Sequence, residues 1–272
     1  MNESLDIRLY SLGKEFLVNR LERKGHSPSL LAKYLDPNIK LDKLSDVYLR
    51  LLMSGANSSL VSNVISSPLG GDISNLRTTL FNFDVNRILK NYTDFNAILE
   101  KIVSEFDLRV NVTRDGIWYK YSKTIWSGAR FLSQFKNYDD FSDFIHFFYK
   151  DDRALRALPL LLKEEIDGFG IALSCDFLKE LGYHKLGKPD RWIKQIFNQT
   201  GLSISNNDFE ILKAIDRVAN NNSVSAYNVD KLFWLIGSGK FYLDKSQSGK
   251  QISIGRSAKY FYDYIACSSM EA

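Results

Sequence analysis

Two stretches of the sequence hold residue types that can do chemistry. The first is Gly168-Phe169-Gly170, set between two segments with apolar residues at helical spacing. Glycine permits positive φ and close backbone approach. A helix starting directly after such a turn presents N–H groups with no partner inside the helix, and its dipole adds to their pull on an anion. The turn is therefore suited to hold a phosphate oxygen, which reads a backbone and not bases, while Phe169 packs inward to keep it rigid. A plain helical turn that uses glycine for its usual reasons is the alternative. The second stretch is Gly187-Lys188-Pro189-Asp190-Arg191-Trp192-Ile193. Asp190 precedes a helical pattern and is a good N-cap. A carboxylate there can also stabilise a developing positive charge or activate a water.

Lys185, Lys188, Arg191 and Lys194 surround Asp190 and suit phosphates, or simply a solvated surface. Trp192, and upstream Trp118, Tyr119, Tyr121 and Trp126, can stack on a base. In a chain that is 13% aromatic, most such rings fill the core. Trp234 reads as core, and Gly237-Ser238-Gly239-Lys240 as a helix C-cap and turn, not a nucleotide loop. His26, His146 and His184 match no metal spacing.

The elements that must position these residues read as helices by spacing. Leu9, Leu12, Phe16 and Leu17 mark the first, and Val47, Leu51 and Leu52 another that ends near Ser54-Gly55. Thr93 is the expected cap of a helix with Phe95, Ile98, Leu99, Ile102 and Phe106 on one face. Phe141, Phe144, Ile145 and Phe148 mark an aromatic helix. Leu158, Leu161, Leu162 and Ile166 form the helix before the glycine turn, with Pro159 in its first turn. Ile171, Cys175, Leu178 and Leu181 form the one after it, closed by Gly182. Three more apolar faces follow, through Ile193 and Phe197, Ile211 and Val218, and Val229 and Ile236. One segment departs: alternation of Val110, Val112, Ile117, Tyr119 and Tyr121 around Asp115-Gly116 predicts a short β-hairpin near 108–121. Ser66 to Asp72 reads as a loop, and Lys245 to Lys250 as a polar turn before a final helix.

Composition narrows the class. With 44% apolar and 25% charged residues, the 272-residue chain has an ordinary globular profile, enough for one large or two small domains. A net charge of +4 permits a nucleic-acid partner without establishing one. Two cysteines, Cys175 and Cys267, exclude a four-cysteine zinc or iron–sulfur site and fit free thiols in a cytoplasmic protein. The N-terminal segment lacks the apolar core of a signal peptide, and no apolar run approaches a membrane span.

The run from Ile125 to Phe197 resembles the helix-hairpin-helix DNA glycosylases with the Gly-Pro-Asp signature, the HhH-GPD superfamily. The matching parts are Trp126-Ser127-Gly128-Ala129-Arg130-Phe131-Leu132, the hairpin Glu165-Ile166-Asp167-Gly168-Phe169-Gly170, and Asp190 placed 18 residues after Ala172. Leu51 to Ser58 resembles the family's early helix and loop. The resemblance implies a mostly α fold of two helical subdomains. One is a central bundle over 46–165; the other joins 1–45 to 166–272 and carries hairpin and Asp190. It implies a monofunctional glycosylase that flips a damaged or modified base and hydrolyses its N-glycosidic bond, in repair or in defence against modified foreign DNA. Asp190 is then the catalytic residue. Gly168, Phe169, Gly170, Ala172, Lys188 and Arg191 face DNA, and Trp126 and Trp192 border the base. The partner is double-stranded DNA with a modified base, read by a monomer without cofactor, metal or membrane. Ala172 stands where bifunctional members carry a Schiff-base lysine, which argues against lyase chemistry by that residue, and Asp167 stands where many members have proline. A non-catalytic helix-hairpin-helix DNA-binding protein and a helical interaction protein remain the alternatives.

Overall fold

The computed structural model describes residues 3–36, 39, 41–57, 65–108, 116–245 and 251–268. Among them are thirteen α-helices and one two-stranded antiparallel sheet. The chain divides into two compact units, residues 39–181 and residues 1–38 with 182–272.

The unit 39–181 contains α3 (Leu44–Ala56), α4 (Val85–Asn91), α5 (Phe95–Glu105), α6 (Ile117–Leu132), α7 (Tyr138–Tyr149), α8 (Asp152–Glu165) and α9 (Ile171–Lys179). Its centre is α6, which packs on α3, α4 and α5. Trp118, Tyr121, Ile125, Ala129 and Leu132 recur at helical spacing and are all buried. Two tyrosines tie α3 and α6 in both directions: the Tyr48 hydroxyl donates to Ile125 O at 2.7 Å and the Tyr121 hydroxyl to Leu52 O at 2.9 Å. The axes meet closely at Gly128, where a Cβ would lie 2.7 Å from Leu51 Cδ2.

Three local expectations change here. The β-hairpin does not form over its second arm, because Ile117 to Tyr121 open α6; burial at a helical period overrides the strand preference of Ile and Tyr. Its first arm and the Asp115 turn lie outside the described residues. The α5 cap is Asp94, not Thr93, with its carboxylate accepting from Asn96 N and Ala97 N. Pro159 lies inside α8, which starts earlier at Asp152 behind the capping Asp151.

The unit formed by 1–38 and 182–272 contains α1 (Glu3–Arg23), α2 (Leu30–Leu35), α10 (Arg191–Thr200), α11 (Asp208–Asn221), α12 (Ala226–Ser238), β1 (Lys240–Lys245), β2 (Gln251–Ser253) and α13 (Ala258–Ser268). Its core joins Phe16, Leu17 and Leu21 of α1 to Phe197, Ile215, Phe233 and Phe261. Buried Asp6 binds α1 to α11 through Arg217, at 2.8 and 3.0 Å, and Asn221, at 2.8 Å. Such a buried carboxylate is tolerated because it is both paired and hydrogen-bonded. The sheet was not expected from the sequence. It follows Gly239, whose left-handed φ of +67° ends α12 as predicted. A Cβ on Gly239 would stand 2.0 Å from Gly255 O, so only glycine lets β1 leave the helix beside the end of β2. The segment 166–181 belongs to the unit 39–181, beyond the boundary expected at 165, because α9 packs on α8 and α3.

Candidate functional site

The hairpin between α8 and α9 is held from below by α6. Thr124 and Ser127 sit one turn apart on that helix, so their hydroxyls share a face. Ser127 Oγ accepts from Asp167 N at 2.9 Å, and Thr124 Oγ1 donates to Asp167 O at 2.7 Å. Both backbone groups of Asp167 are thereby satisfied by side chains. Gly168 follows with φ +80°, and a Cβ there would meet Thr124 Oγ1 at 2.9 Å. Conformation and space both demand glycine at this position. Phe169 is 6% exposed, packs beside Gly55 of α3, and meets the Phe177 ring of α9 at 6.2 Å. Its side chain therefore supports the hairpin from within.

Gly170 differs from the expectation of a second positive φ. It is the N-cap of α9 in extended backbone, φ −118°, ψ 177°, with no side-chain cap. Nothing lies within 4 Å of where its Cβ would be. By contrast Asp84, Asp94, Asn137 and Asp151 each cap their helices with a side-chain oxygen. The first turn of α9 is thus left open, and Ile171, Ala172 and Leu173 are half-buried there. Below that turn, α9 is anchored to α3: Asp176 accepts from Ser54 Oγ at 3.1 Å and pairs with Arg50 at 3.4 Å and with buried Lys179 at 3.8 Å. An uncapped helix start on a rigid turn can bind an anion through N–H donors and dipole together.

In the other unit, the loop 187–190 is set against α11 and α12. A Cβ on Gly187 would strike Ile215 Cγ2 at 2.7 Å, and Lys188 N donates to buried Asp230 Oδ2 at 2.9 Å. Asp190 caps α10: its Oδ1 accepts from Trp192 N at 2.8 Å and Ile193 N at 3.1 Å. Asp190 is half-buried, and the two backbone donors fix the orientation of its carboxylate. Trp192 is half-buried against Gly237 of α12, where a Cβ would come within 2.7 Å of Trp192 Cβ. The Arg191 and Arg256 guanidinium groups stand 4.7 and 5.7 Å from the Trp192 ring centre. Arg256 was not singled out from the sequence.

The remaining expectations fall as follows. Arg191 and Lys185 are exposed, and Lys188 is half-buried. Lys194 pairs with Asp208 at 2.5 Å, which directs it away from a phosphate role. Trp126 is half-buried on α6 and Trp118 is buried beside Tyr121. Cys175 is buried and Cys267 exposed, both as free thiols. Thr124 and Ser127 were missed by sequence reading, since hydroxyls three apart on a helix carry no signature of their own. No described helix is long and apolar enough to cross a membrane.

Comparison with known protein families finds no match, and no curated protein sequence matches the chain. Among solved structures, a crystal structure of Methanocaldococcus jannaschii 8-oxoguanine glycosylase/lyase, in complex with a 15mer DNA containing 8-oxoguanine, is similar. It aligns with a TM-score of 0.50 at 14% identity, over 81% of this chain and 96% of that one. The likeness concerns the fold: a mostly helical architecture with a small sheet, as in a DNA glycosylase.

Proposed function

We propose that this chain is a monofunctional DNA glycosylase. The observation that carries the reading is the hairpin: Asp167, its backbone held by two α6 hydroxyls, then a left-handed Gly168, then a helix start that no side chain caps. This is a rigid seat for a DNA phosphate. The likeness in fold to a protein crystallised on DNA with a modified base supports the same reading.

Asp190 supplies the chemistry. As the bond between sugar and base breaks, its electron pair leaves with the base and positive charge develops on the sugar. The carboxylate stabilises that charge, then takes a proton from the water that adds to the sugar carbon. Asp190 gives that proton up to solvent and the departing base takes one from solvent, so the products are a free base and an abasic site. Arg191 and Lys188 lie next to Asp190 in sequence and are suited to the flanking phosphates. Trp192, two residues after Asp190, offers a ring to an extruded base. Ala172 on α9 provides no amine, so the strand stays intact after base release.

The test is base release from duplexes that each carry one modified base, 8-oxoguanine first because the structural neighbour was crystallised on it, followed by modified phage DNA. Release that leaves an alkali-labile site, with no borohydride-trapped adduct, is expected from the wild type and not from Asp190→Asn. A trapped adduct would overturn the monofunctional assignment. DNA binding without release by either protein would favour the reading in which Asp190 serves only as an N-cap. Its carboxylate oxygen, shared between two backbone donors, is compatible with that role.

A further inference from the structure

A concave surface lies in the unit 39–181, between α6, α7 and α8, with a volume of about 430 Å³. Its floor is aromatic. Phe131, Phe135 and Phe144 form a triangle with ring centres 5.5, 6.3 and 5.2 Å apart. Its rim is acidic, formed by Asp140, Asp143 and Glu165, and among the described residues no lysine or arginine lines it. Asp140 also accepts from Lys136 N at 2.9 Å, while Asp143 and Glu165 are exposed. Phenyl faces attract cations through their quadrupole, and the carboxylates add a field of the same sign. In a chain with net charge +4 these acids stand apart, and they repel nucleic acid.

The aromatic surface does not stop at the groove. Along α7 the Phe144 ring leads to Phe148 at 5.3 Å and on to Phe147 at 5.6 Å, and Phe147 is 66% exposed. That stripe is longer than one cationic group can cover. An exposed phenyl beside an acidic cleft suits an extended ligand that alternates positive and apolar side chains.

We propose that this groove docks a basic segment of a partner protein, with an arginine or lysine over Phe135 and Phe144 between the carboxylates, and an apolar neighbour on Phe147 and Phe148. The occupant is a peptide chain because both the charge and the length of the stripe must be matched. The site goes beyond the proposed glycosylase reaction and includes neither Asp190 nor the glycine turn, with Glu165 ending α8 just before that turn.

The experiment is calorimetric titration of the full chain with a capped nonapeptide of alternating arginine and leucine, with spermine as the cation that lacks apolar side chains. The wild type is expected to bind the peptide saturably. The double variant Asp143→Lys/Glu165→Lys, at two exposed positions, is expected to bind it roughly tenfold more weakly. Phe147→Ser is expected to weaken the peptide severalfold and leave spermine unchanged. Absence of saturable peptide binding, or equal binding by the double variant, overturns the proposal. So does spermine binding as tightly as the peptide, because the groove would then read free polycations.

Discussion

Consider Asp190→Asn beside Asp190→Ala. In the structure one oxygen of Asp190 does a structural job, accepting from Trp192 N and Ile193 N at 2.8 and 3.1 Å. Asparagine keeps an oxygen in that place and caps helices about as well as aspartate. It loses the charge at the start of α10, worth about 0.3–1 kcal/mol. Alanine loses the cap as well, for a further cost of about 1 kcal/mol. The catalytic role needs the charge itself. Without it, base release should slow by roughly 10²- to 10⁴-fold, equivalent to roughly 3–5 kcal/mol in the barrier. The assay is single-turnover base release on the best duplex of the panel, with urea unfolding measured on the same three proteins. The expected pattern is two nearly inactive variants, of which only the alanine one is clearly less stable. An asparagine variant that is folded and within a few fold of wild-type rate would refute the assignment of chemistry to Asp190. An alanine variant as stable as wild type would refute the assignment of the cap.

The hairpin yields a contrast between its two glycines. Gly168→Ala places a Cβ at positive φ against Thr124 Oγ1 and should cost about 1–2 kcal/mol by urea unfolding, with DNA affinity falling too. Gly170→Ala meets nothing within 4 Å and should leave stability within about 0.5 kcal/mol, yet weaken DNA in a gel shift because its methyl occupies the open start of α9. Thr124→Val and Ser127→Ala each remove one partner of the exposed Asp167 backbone. Each should cost about 0.5–1.5 kcal/mol and loosen amide-exchange protection at the hairpin before elsewhere. At high pH, burial raises Tyr10 to about 12 and Tyr34 and Tyr48 further. These phenols favour the fold only while neutral, so stability is complete below about pH 10, the unfolded value, and is lost as pH rises through the folded ones. Urea midpoints should therefore hold steady to about pH 9.5 and fall steeply above it; a flat profile to about pH 12 would contradict the burial of these rings.

Much of the molecule was legible in the sequence because single elements announce themselves. The helix of Phe141, Phe144, Ile145 and Phe148, the glycine hairpin between two apolar faces, and the helix behind Asp190 each depend on neighbours a few residues away. The failures occurred where distant contacts decide. Ile117 to Tyr121 read as strand from their alternation around Asp115-Gly116, but Tyr121 is held by Leu52 of α3, some 70 positions earlier in the chain. The short sheet depends on Gly239 meeting Gly255, 16 positions on, and neither glycine signals the other locally. Thr124 and Ser127 become legible as a clamp only once α8 and α9 lie above them. Of the hairpin's two glycines, only Gly168 is required by conformation; at Gly170 what counts is the space left empty.

The bond between Asp6 and Arg217 joins residues 211 positions apart, and it has a consequence for synthesis. The unit 39–181 is continuous, so a nascent chain can complete it, hairpin included, soon after its last helix leaves the ribosome. The unit containing α1 must wait. Its first helix emerges early with Leu9, Phe16 and Leu17 still lacking the helices that bury them, and closes only when α11 and α12 arrive. The loop of Asp190 waits as well, since Asp230 and Gly237 of α12 hold its neighbours Lys188 and Trp192 in place. A chain interrupted before α12 would thus carry a finished turn for gripping a backbone and an unorganised carboxylate.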